Sequence, residues 1–257
     1  MRELRQEIGP DGVLVLEFDR PEALNAVTAE MQADLDRQLS QAERDPAIRA
    51  IVLCGAGDRA FSAGYDIHEL TGMSEADQTA VTLEREEWLW HWANTPIPTV
   101  VALQGVTYGV GALLAVTADL RVGCAETRFK VTAAQYGGAN LTWVLSELIG
   151  WSRTKDLLLT ARVVDGAEAE RIGLLNRLVA QPDVRTAALE LASGIAALPP
   201  GGVRTVKRLI HEGIGRDLRA RYDAENTEMR TSLRPGPMSE VFSGFLSNHD
   251  APRGNSE

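Results

Sequence analysis

The sequence predicts an α/β fold, and two observations carry that prediction. Near-continuous apolar runs such as "AIVLC" at residues 50–54 and "PTVVAL" at residues 98–103 are typical of parallel strands that are covered on both faces. Patterns of helical length separate these runs, and from about Leu141 onward helical patterns dominate. Alternating strands and helices followed by helices alone indicate a parallel α/β core with a helical C-terminal region. We therefore predict a core at residues 1–195 and a helical region at residues 196–257.

The N-terminal elements follow from local turn and capping chemistry. Residues 4–18, "LRQEIGPDGVLVLEF", predict two short strands around the turn Pro10-Asp11-Gly12. Residues 28–45 predict an amphipathic helix, because apolar side chains recur at four-residue steps and Thr28 stands at the N-cap position. The apolar run at residues 47–55 then predicts a buried strand.

The middle of the chain continues the alternation. Residues 74–95 predict a helix with Ser74 as its cap and with Trp88 and Trp92 on one face. Residues 97–105 predict another buried strand, and the nearly wholly apolar residues 109–118 predict a deeply buried helix. The remaining predicted elements are strands at residues 119–126 and 128–133 and helices at residues 153–161, 166–175, 184–198, 201–213 and 238–248.

Composition and charge exclude several classes of function. The formal net charge of −10 and the isoelectric point near 5.0 argue against nucleic acid as a partner, because phosphate binding needs a basic surface. Cys54 and Cys124 lie in predicted buried strands, which favours a packing role over a redox or metal-binding role. The N-terminus lacks an apolar signal core, and no run approaches the roughly 20 apolar residues of a membrane span. We expect a cytoplasmic protein without membrane association and without a bound metal or redox cofactor.

One local pattern occurs twice. The strand "AIVLCG" leads through "FSAGYDI" at residues 61–67 into a polar helix, and "PTVVALQG" leads through "VTYGVG" at residues 106–111 into the apolar helix. At each glycine-containing corner, backbone N–H groups are expected to be left unused by a sheet. Two such corners side by side would direct two N–H groups at one point, the arrangement that stabilises negative charge on a carbonyl oxygen. Close packing alone also explains a Gly-Val-Gly turn, whereas the full dinucleotide fingerprint G-x-G-x-x-G is absent.

Three separated segments carry a resemblance to a known family. They are "AFSAGYDIHEL", "TPIPTVVALQGVTYGVGALLAVTADLRVGCAETRF" and "LLLTARVVDGAEAERIGLLNRLV", at residues 60–70, 95–129 and 157–179. In this order and spacing they resemble the crotonase superfamily of enoyl-CoA hydratases and isomerases. The likeness extends from "LEFDRPEALNAVT" at residues 16–28 to "FSGFL" at residues 242–246.

The resemblance implies a crotonase-like spiral of ββα turns with a C-terminal helical trimerisation region, assembled as a homotrimer or hexamer. It implies an acyl-CoA thioester as substrate, so that coenzyme A is part of the substrate and no separate cofactor is needed. The thioester oxygen would be held as an enolate between two backbone N–H groups, which by position belong to Tyr65 and Val110. The residues that the resemblance places around the substrate are Asn25, Ala26, Ala63, Gly64, Asp66, Ile67, Gly109, Gly111, Leu113 and Tyr136.

The sequence departs from the family pattern at the two positions that usually carry catalytic glutamates. These positions fall at Leu113 and at about Ala133, and neither leucine nor alanine can transfer a proton. Because adding water to a double bond needs a base for the water and an acid for the α-carbon, we expect hydratase activity to be very weak or missing. The chain is thus a divergent member of the superfamily by this resemblance.

His68 is the remaining candidate for acid–base chemistry. "FSAGYDIHEL" resembles the corresponding stretch of methylmalonyl-CoA decarboxylase, a member of the superfamily in which a His at this position lies at the active site. Tyr136 or Tyr108 is a candidate partner for it. A contact with CoA phosphate, or a surface position, is the alternative for His68, while Asp66 is expected to fix the loop and His91 to be a packed helix residue.

Three functions remain open from the sequence. The first is an acyl-CoA decarboxylase or isomerase that stabilises an enolate without the glutamate pair. The second is a hydrolase or C–C cleaving enzyme of the same fold. The third is a non-catalytic binding subunit, against which the retained glycine corners argue, since a scaffold does not need substrate-facing backbone.

Overall fold

The computed structural model describes residues 3–233 and 236. These residues form two units, one that ends at Pro200 and a second that begins at Gly201. The helix predicted at residues 238–248 lies outside the described residues. The division into a core at residues 1–195 and a C-terminal helical region at residues 196–257 stays a prediction.

Ten strands occur among the described residues. They are β1 (Leu4–Ile8), β2 (Val13–Phe18), β3 (Ala50–Gly55), β4 (Ala60–Ser62), β5 (Thr99–Leu103), β6 (Val106–Tyr108), β7 (Leu120–Cys124), β8 (Arg128–Lys130), β9 (Val164–Asp165) and β10 (Arg177–Val179).

Ten α-helices occur in the same part of the chain, together with short 3-10 turns at Pro21–Ala23, Ala133–Tyr136 and Gln181–Asp183. The helices are α1 (Ala29–Arg44), α2 (Ile67–Gly72), α3 (Glu75–Asn94), α4 (Val110–Thr117), α5 (Leu145–Ile149), α6 (Trp151–Thr160), α7 (Gly166–Arg171), α8 (Val184–Ala196), α9 (Pro200–Gly213) and α10 (Leu218–Arg230). In the second unit an ion pair between Arg208 and Glu228, 2.7 Å apart, joins α9 to α10.

Two sheets build the first unit. The larger one has the order β1-β2-β3-β5-β7-β10, and apart from the antiparallel β1–β2 hairpin its strands run in parallel. The smaller one has the order β4-β6-β8-β9. The predicted parallel α/β core is therefore confirmed, whereas the short strands β4, β6, β9 and β10 were not predicted.

The larger sheet is covered on both faces, as its apolar strands indicate. Along β3, Ile51 and Leu53 belong to the core that includes residues of α1, α3 and α4, whereas Val52 and Cys54 pack with the small side chains of α8. Alternate residues of a strand point to opposite faces, so a strand buried on both faces must be apolar throughout. The prediction of buried cysteines is confirmed, and burial raises the pKa of the Cys54 thiol to about 12.

The predicted helix caps are present. Thr28 accepts a hydrogen bond from the Met31 amide at the start of α1, and Ser74 accepts one from the Asp77 amide at the start of α3. Trp88 and Trp92 are both buried on α3, as their spacing predicts. The Trp92 indole N–H donates to the Leu114 carbonyl, 3.1 Å away, and so joins α3 to α4.

His91 joins α3 to α1 through two carboxylates. Its Nδ1 lies 2.7 Å from Asp36, and its Nε2 lies 3.1 Å from Glu43. Burial acts to lower the pKa of His91, but these hydrogen bonds and charges outweigh burial, so the pKa lies above its ordinary value. The half-buried ring confirms the packed position predicted for this residue, and the two carboxylates add an electrostatic contact that the sequence did not indicate.

We expect this contact to make stability depend on pH. The pKa of His91 is higher in the folded protein than in the unfolded chain, where it is about 6.5. The contribution of protonated His91 to the free energy of unfolding is therefore fully present below about pH 6.5 and is lost as pH rises through the folded pKa. The excess of the wild-type melting temperature over that of H91Q should therefore be largest in acid and shrink on going to alkaline pH. His68→Gln is the matched control, since His68 is exposed and its ring has no partner among the described residues. A difference between wild type and H91Q that does not change with pH would contradict this prediction.

Candidate active site

The two glycine corners of the sequence meet in the structure. They follow β4 and β6, which pair in parallel with Ala60 opposite Val106 and Ser62 opposite Thr107. A Cβ atom built on Gly64 would lie 3.5 Å from the Gly109 Cα, and one built on Gly109 would lie 3.4 Å from the Gly64 Cα. The two backbones are therefore in direct contact at the point where both strands end.

Glycine is required at this contact for conformation and for space. Gly64 has φ +106° and Gly109 has φ +52°, values that side-chain-bearing residues rarely adopt. At Gly111 the reason is space alone, since a Cβ there would lie 2.8 Å from the Ser62 carbonyl oxygen. Helix α4 thereby packs closely on β4, and its first turn lies beside the corner.

The Tyr65 amide points away from Val27, the residue that pairs with this corner. The Gly64 carbonyl accepts a hydrogen bond from the Val27 amide at 2.8 Å, and the Asp66 amide donates to the Val27 carbonyl at 3.0 Å. In a trans peptide the C=O and N–H point in opposite directions, and the described chain has no cis peptide. The Tyr65 N–H, which shares a peptide with the Gly64 carbonyl, is therefore directed away from Val27.

The Val110 amide is directed outward in the same manner. The Gly109 carbonyl accepts a hydrogen bond from the Leu113 amide at 3.1 Å, along the axis of α4. The N–H on the same peptide belongs to Val110 and points out of the N-terminus of the helix, where the helix dipole favours negative charge. No hydrogen bond within residues 3–233 uses the Tyr65 or the Val110 amide. Each amide belongs to the peptide that follows one of the two touching glycines, so the two free donors are neighbours.

Asp66 fixes the backbone that follows Tyr65. Its carboxylate accepts hydrogen bonds from the His68 and Glu69 amides at the start of α2 and pairs with Arg20 at 2.9 Å. Burial acts to raise the pKa of Asp66, but Arg20 and the two amides outweigh burial and hold the pKa below its ordinary range. The expectation that Asp66 fixes the loop is confirmed.

Asn25 supports the corner from inside the protein. Its side chain has no exposed surface and donates to the Ala56 and Ala60 carbonyls at 3.0 and 2.9 Å. The side chain thus supports the corner through backbone groups, and the predicted substrate contact of Asn25 stays a prediction. The neighbouring Ala26 is also buried, and its carbonyl accepts a hydrogen bond from Arg20.

The other predicted residues fall into two groups. Ala63 is half-buried in the corner, where its amide donates to the Leu24 carbonyl at 3.0 Å, and Leu113 is buried in α4. Ile67, His68 and Tyr136 are exposed, with Ile67 at 66% and Tyr136 at 79%. Exposure of Ile67 and His68 directly after the corner is compatible with contact to a bound ligand. The Tyr136 side chain is turned to solvent, and its role stays a prediction.

Two polar residues at the corner were not found by sequence reasoning. Arg20 pairs with Glu3 as well as with Asp66, and the buried Gln32 of α1 accepts a hydrogen bond from the Tyr65 hydroxyl. One sequence feature could have indicated Gln32: it is a polar residue beside Met31 on the apolar face of an amphipathic helix.

Among the described residues no group of three or more His, Cys, Asp or Glu side chains is arranged to hold a metal ion, and no helix is long and apolar enough to cross a membrane.

Comparison with known proteins accords with this geometry. The sequence model of the enoyl-CoA hydratase/isomerase family matches residues 9–242. A short-chain-enoyl-CoA hydratase of Clostridium acetobutylicum is 30% identical over 237 residues, which cover 91% of each chain. A 1,2-epoxyphenylacetyl-CoA isomerase of Escherichia coli is 30% identical over 242 residues, covering 91% of this chain and 92% of the isomerase.

Solved structures agree with the sequence comparison. The crystal structure of an enoyl-CoA hydratase from Bacillus anthracis matches with a TM-score of 0.90 at 26% identity and covers 96% of this chain and 97% of that one. An enoyl-CoA hydratase from Mycobacterium smegmatis matches with a TM-score of 0.87 at 27% identity, with coverage of 96% and 97%. The predicted crotonase-like fold is thereby confirmed. With a family match over most of its length, relatives over nine-tenths of it and the same fold, the chain belongs to the enoyl-CoA hydratase/isomerase family of the crotonase superfamily.

Proposed function

We propose that this protein binds an acyl-CoA thioester with its carbonyl oxygen between the Tyr65 and Val110 amides and stabilises the enolate that forms there. The observation that carries the proposal is the pair of neighbouring, unused amides on peptides whose carbonyls are anchored by Val27 and Leu113. Donors fixed in advance stabilise developing negative charge without reorganising during the reaction. Membership of a family of acyl-CoA enzymes supports the thioester as the ligand class.

The reaction that fits best is decarboxylation or isomerisation. In decarboxylation of a malonate-type thioester, the bond from the α-carbon to the carboxylate breaks and CO₂ leaves. The electron pair moves into the enolate, whose oxygen the two amides hold, and a proton from a nearby donor then completes the α-carbon. A site whose two glutamate positions carry Leu113 and Ala133 suits such a substrate, since carboxylates would repel the substrate's own carboxylate.

Hydration fits the residues less well. Water addition needs a base and an acid beside the double bond, and Leu113 and Ala133 supply neither. The Escherichia coli relative named for isomerisation of an epoxyphenylacetyl-CoA shows that a protein equally similar to this chain carries an isomerase name. We do not extend the substrate in that name to this chain. Exposed Ile67 is proposed to contact the CoA moiety, and exposed His68 is proposed either to contact it or to supply the proton.

We also propose that the protein assembles as a homotrimer or hexamer, as the family resemblance implies. Light scattering coupled to size-exclusion chromatography would measure the mass directly. A mass of three or six chains of 27.9 kDa is expected, and a monomer would contradict the proposal.

The test of function is a panel of CoA thioesters. We expect turnover of methylmalonyl-CoA, malonyl-CoA or a 3-enoyl-CoA to exceed hydration of crotonyl-CoA by about 100-fold or more, because acid–base groups contribute about that much to hydration. CoA without an acyl group is the control, and melting temperatures with and without each thioester report binding separately from turnover. Hydration as the fastest reaction would contradict the argument from Leu113 and Ala133. Binding without any turnover would favour the non-catalytic subunit, and hydrolysis of the thioester would favour the hydrolase.

A further inference from the structure

A hydrogen-bonded polar pair joins the Tyr65 side chain to α1. Gln32 is 2% exposed and stands on the face of α1 that otherwise buries Met31, Leu35 and Leu39. A buried amide without a hydrogen-bond partner is destabilising, so a polar residue at such a position calls for a specific contact. The Gln32 side-chain oxygen has one, because it accepts a hydrogen bond from the Tyr65 hydroxyl.

The Tyr65 side chain is held at its far end by this contact. Burial raises the pKa of the phenol above its ordinary value, so the hydroxyl stays protonated and remains a donor at neutral pH. The ring also packs against the hydrophobic core. The residue that offers its backbone amide at the corner is thus attached to α1 through its own side chain.

The start of α1 is attached to the corner at further points. Val27, directly before the N-cap, makes the two backbone hydrogen bonds to Gly64 and Asp66. The Ala29 amide, in the first turn, donates to the Glu69 carboxylate at 3.1 Å. The backbone bonds fix the peptides on both sides of Tyr65, while the Gln32 contact fixes the direction of its side chain.

The surroundings of the Gln32 side chain are not completely filled. A cavity of about 690 Å³ lies between α1 and α3 and is lined by Gln32 and Trp88 together with Asp36, Glu84 and His91. The hydrogen bond with the Tyr65 hydroxyl therefore also fixes the Gln32 side chain, one side of which adjoins this open space.

We propose that Gln32 is a positioning residue, which acts through the Tyr65 hydroxyl to hold the Tyr65 backbone amide in the direction that serves the thioester oxygen. This inference rests on the proposed function and adds a determinant for it that is particular to the residues of this chain. Gln32 touches no substrate in this account, and its effect reaches the reaction through the Tyr65 main chain.

The test uses the carbonyl stretch of bound butyryl-CoA labelled with ¹³C at the thioester carbon. Hydrogen bonds to the oxygen lower this frequency, so isotope-edited infrared spectra report the two amides without requiring turnover. Gln32→Met keeps the length of the side chain but removes the acceptor, and Tyr65→Phe removes the donor. Gln32→Glu keeps an acceptor oxygen, and Gln41→Met places the same change on the exposed face of α1.

We expect Gln32→Met and Tyr65→Phe each to lose a similar part of the frequency shift, with the double variant losing no more than either. On the fastest thioester of the panel, kcat should fall about fivefold with KM unchanged, the effect of losing one ordinary hydrogen bond. Gln32→Glu should recover most of the shift, and Gln41→Met should leave both measurements at the wild-type value.

The outcomes separate this inference from the proposed function. No frequency shift in the wild-type complex would overturn the proposed function and this inference together. A normal wild-type shift that Gln32→Met and Tyr65→Phe leave intact would overturn this inference alone. Equal losses in Gln32→Met and Gln32→Glu would also overturn it, because the effect would then come from packing. Should Gln32→Met fail to fold, Tyr65→Phe decides the question with Gln32 in place.

Discussion

Replacing Gly64 with alanine is expected to lower turnover of the preferred thioester by about 100-fold or more, the effect of losing one oxyanion donor. The new Cβ would lie 3.3 Å from the Tyr108 carbonyl oxygen and 3.5 Å from the Gly109 Cα, between two pieces of backbone that cannot yield as a side chain does. The φ of +106° at this position is in addition one that alanine rarely adopts. Both effects move the peptide that carries the Tyr65 amide.

A matched control separates backbone strain from loss of the site. Gly57→Ala introduces the same residue at a φ of +75°, and its Cβ meets only the Pro21 Cβ at 3.4 Å. Both variants should lose some thermal stability, while only Gly64→Ala should lose turnover. Turnover of Gly64→Ala within a fewfold of wild type, in a variant that is folded, would contradict the assignment of the corner to catalysis.

Replacing Arg121 with alanine is expected to lower the free energy of unfolding by at least about 3 kcal/mol, the magnitude for removing a buried charged group from its partners. Arg121 is 2% exposed, and burial lowers its pKa to about 10, so it stays charged at neutral pH. Its guanidinium donates to oxygens of five residues: Ala115, Ala118, Asp119, Leu174 and Asn176. Two of these carbonyls lie at the C-terminal end of α4, the helix whose first amide is Val110.

Urea unfolding followed by circular dichroism would measure this effect. Arg37→Ala is the control, since Arg37 is exposed on α1 and pairs only with Asp34 within the described residues. A change within about 0.5 kcal/mol is expected for that surface pair. A loss in Arg121→Ala no larger than in Arg37→Ala would show that other donors replace the guanidinium.

Local patterns predicted most of the regular structure. The caps Thr28 and Ser74 and the buried face with Trp88 and Trp92 follow from signals within one helix, and the structure confirms them. The strands β4, β6, β9 and β10 were missed because two or three residues show no periodicity. Their pairing depends on strands far away in the sequence.

The site could be predicted only in part. The glycine corners were visible because Gly64 and Gly109 stand at strand ends, and the structure brings them together. The supporting contacts of Gln32 with Tyr65, and of Asn25 with the carbonyls of Ala56 and Ala60, join residues more than thirty positions apart. No local pattern encodes such contacts, which arise only when α1 packs against the corner. The ligand contact that the family resemblance implies for Asn25 stays a prediction, although the structure buries this residue completely.

A crystal structure with a non-hydrolysable CoA thioester analogue would show whether the Tyr65 and Val110 amides bind the thioester oxygen together. We expect the oxygen to lie within about 3 Å of both backbone nitrogens, with the acyl group beside Leu113. The position of the His68 ring relative to the α-carbon would then assign or dismiss it as the proton donor. An analogue bound with its carbonyl oxygen away from both amides, or a corner closed so that no oxygen can enter, would contradict the account.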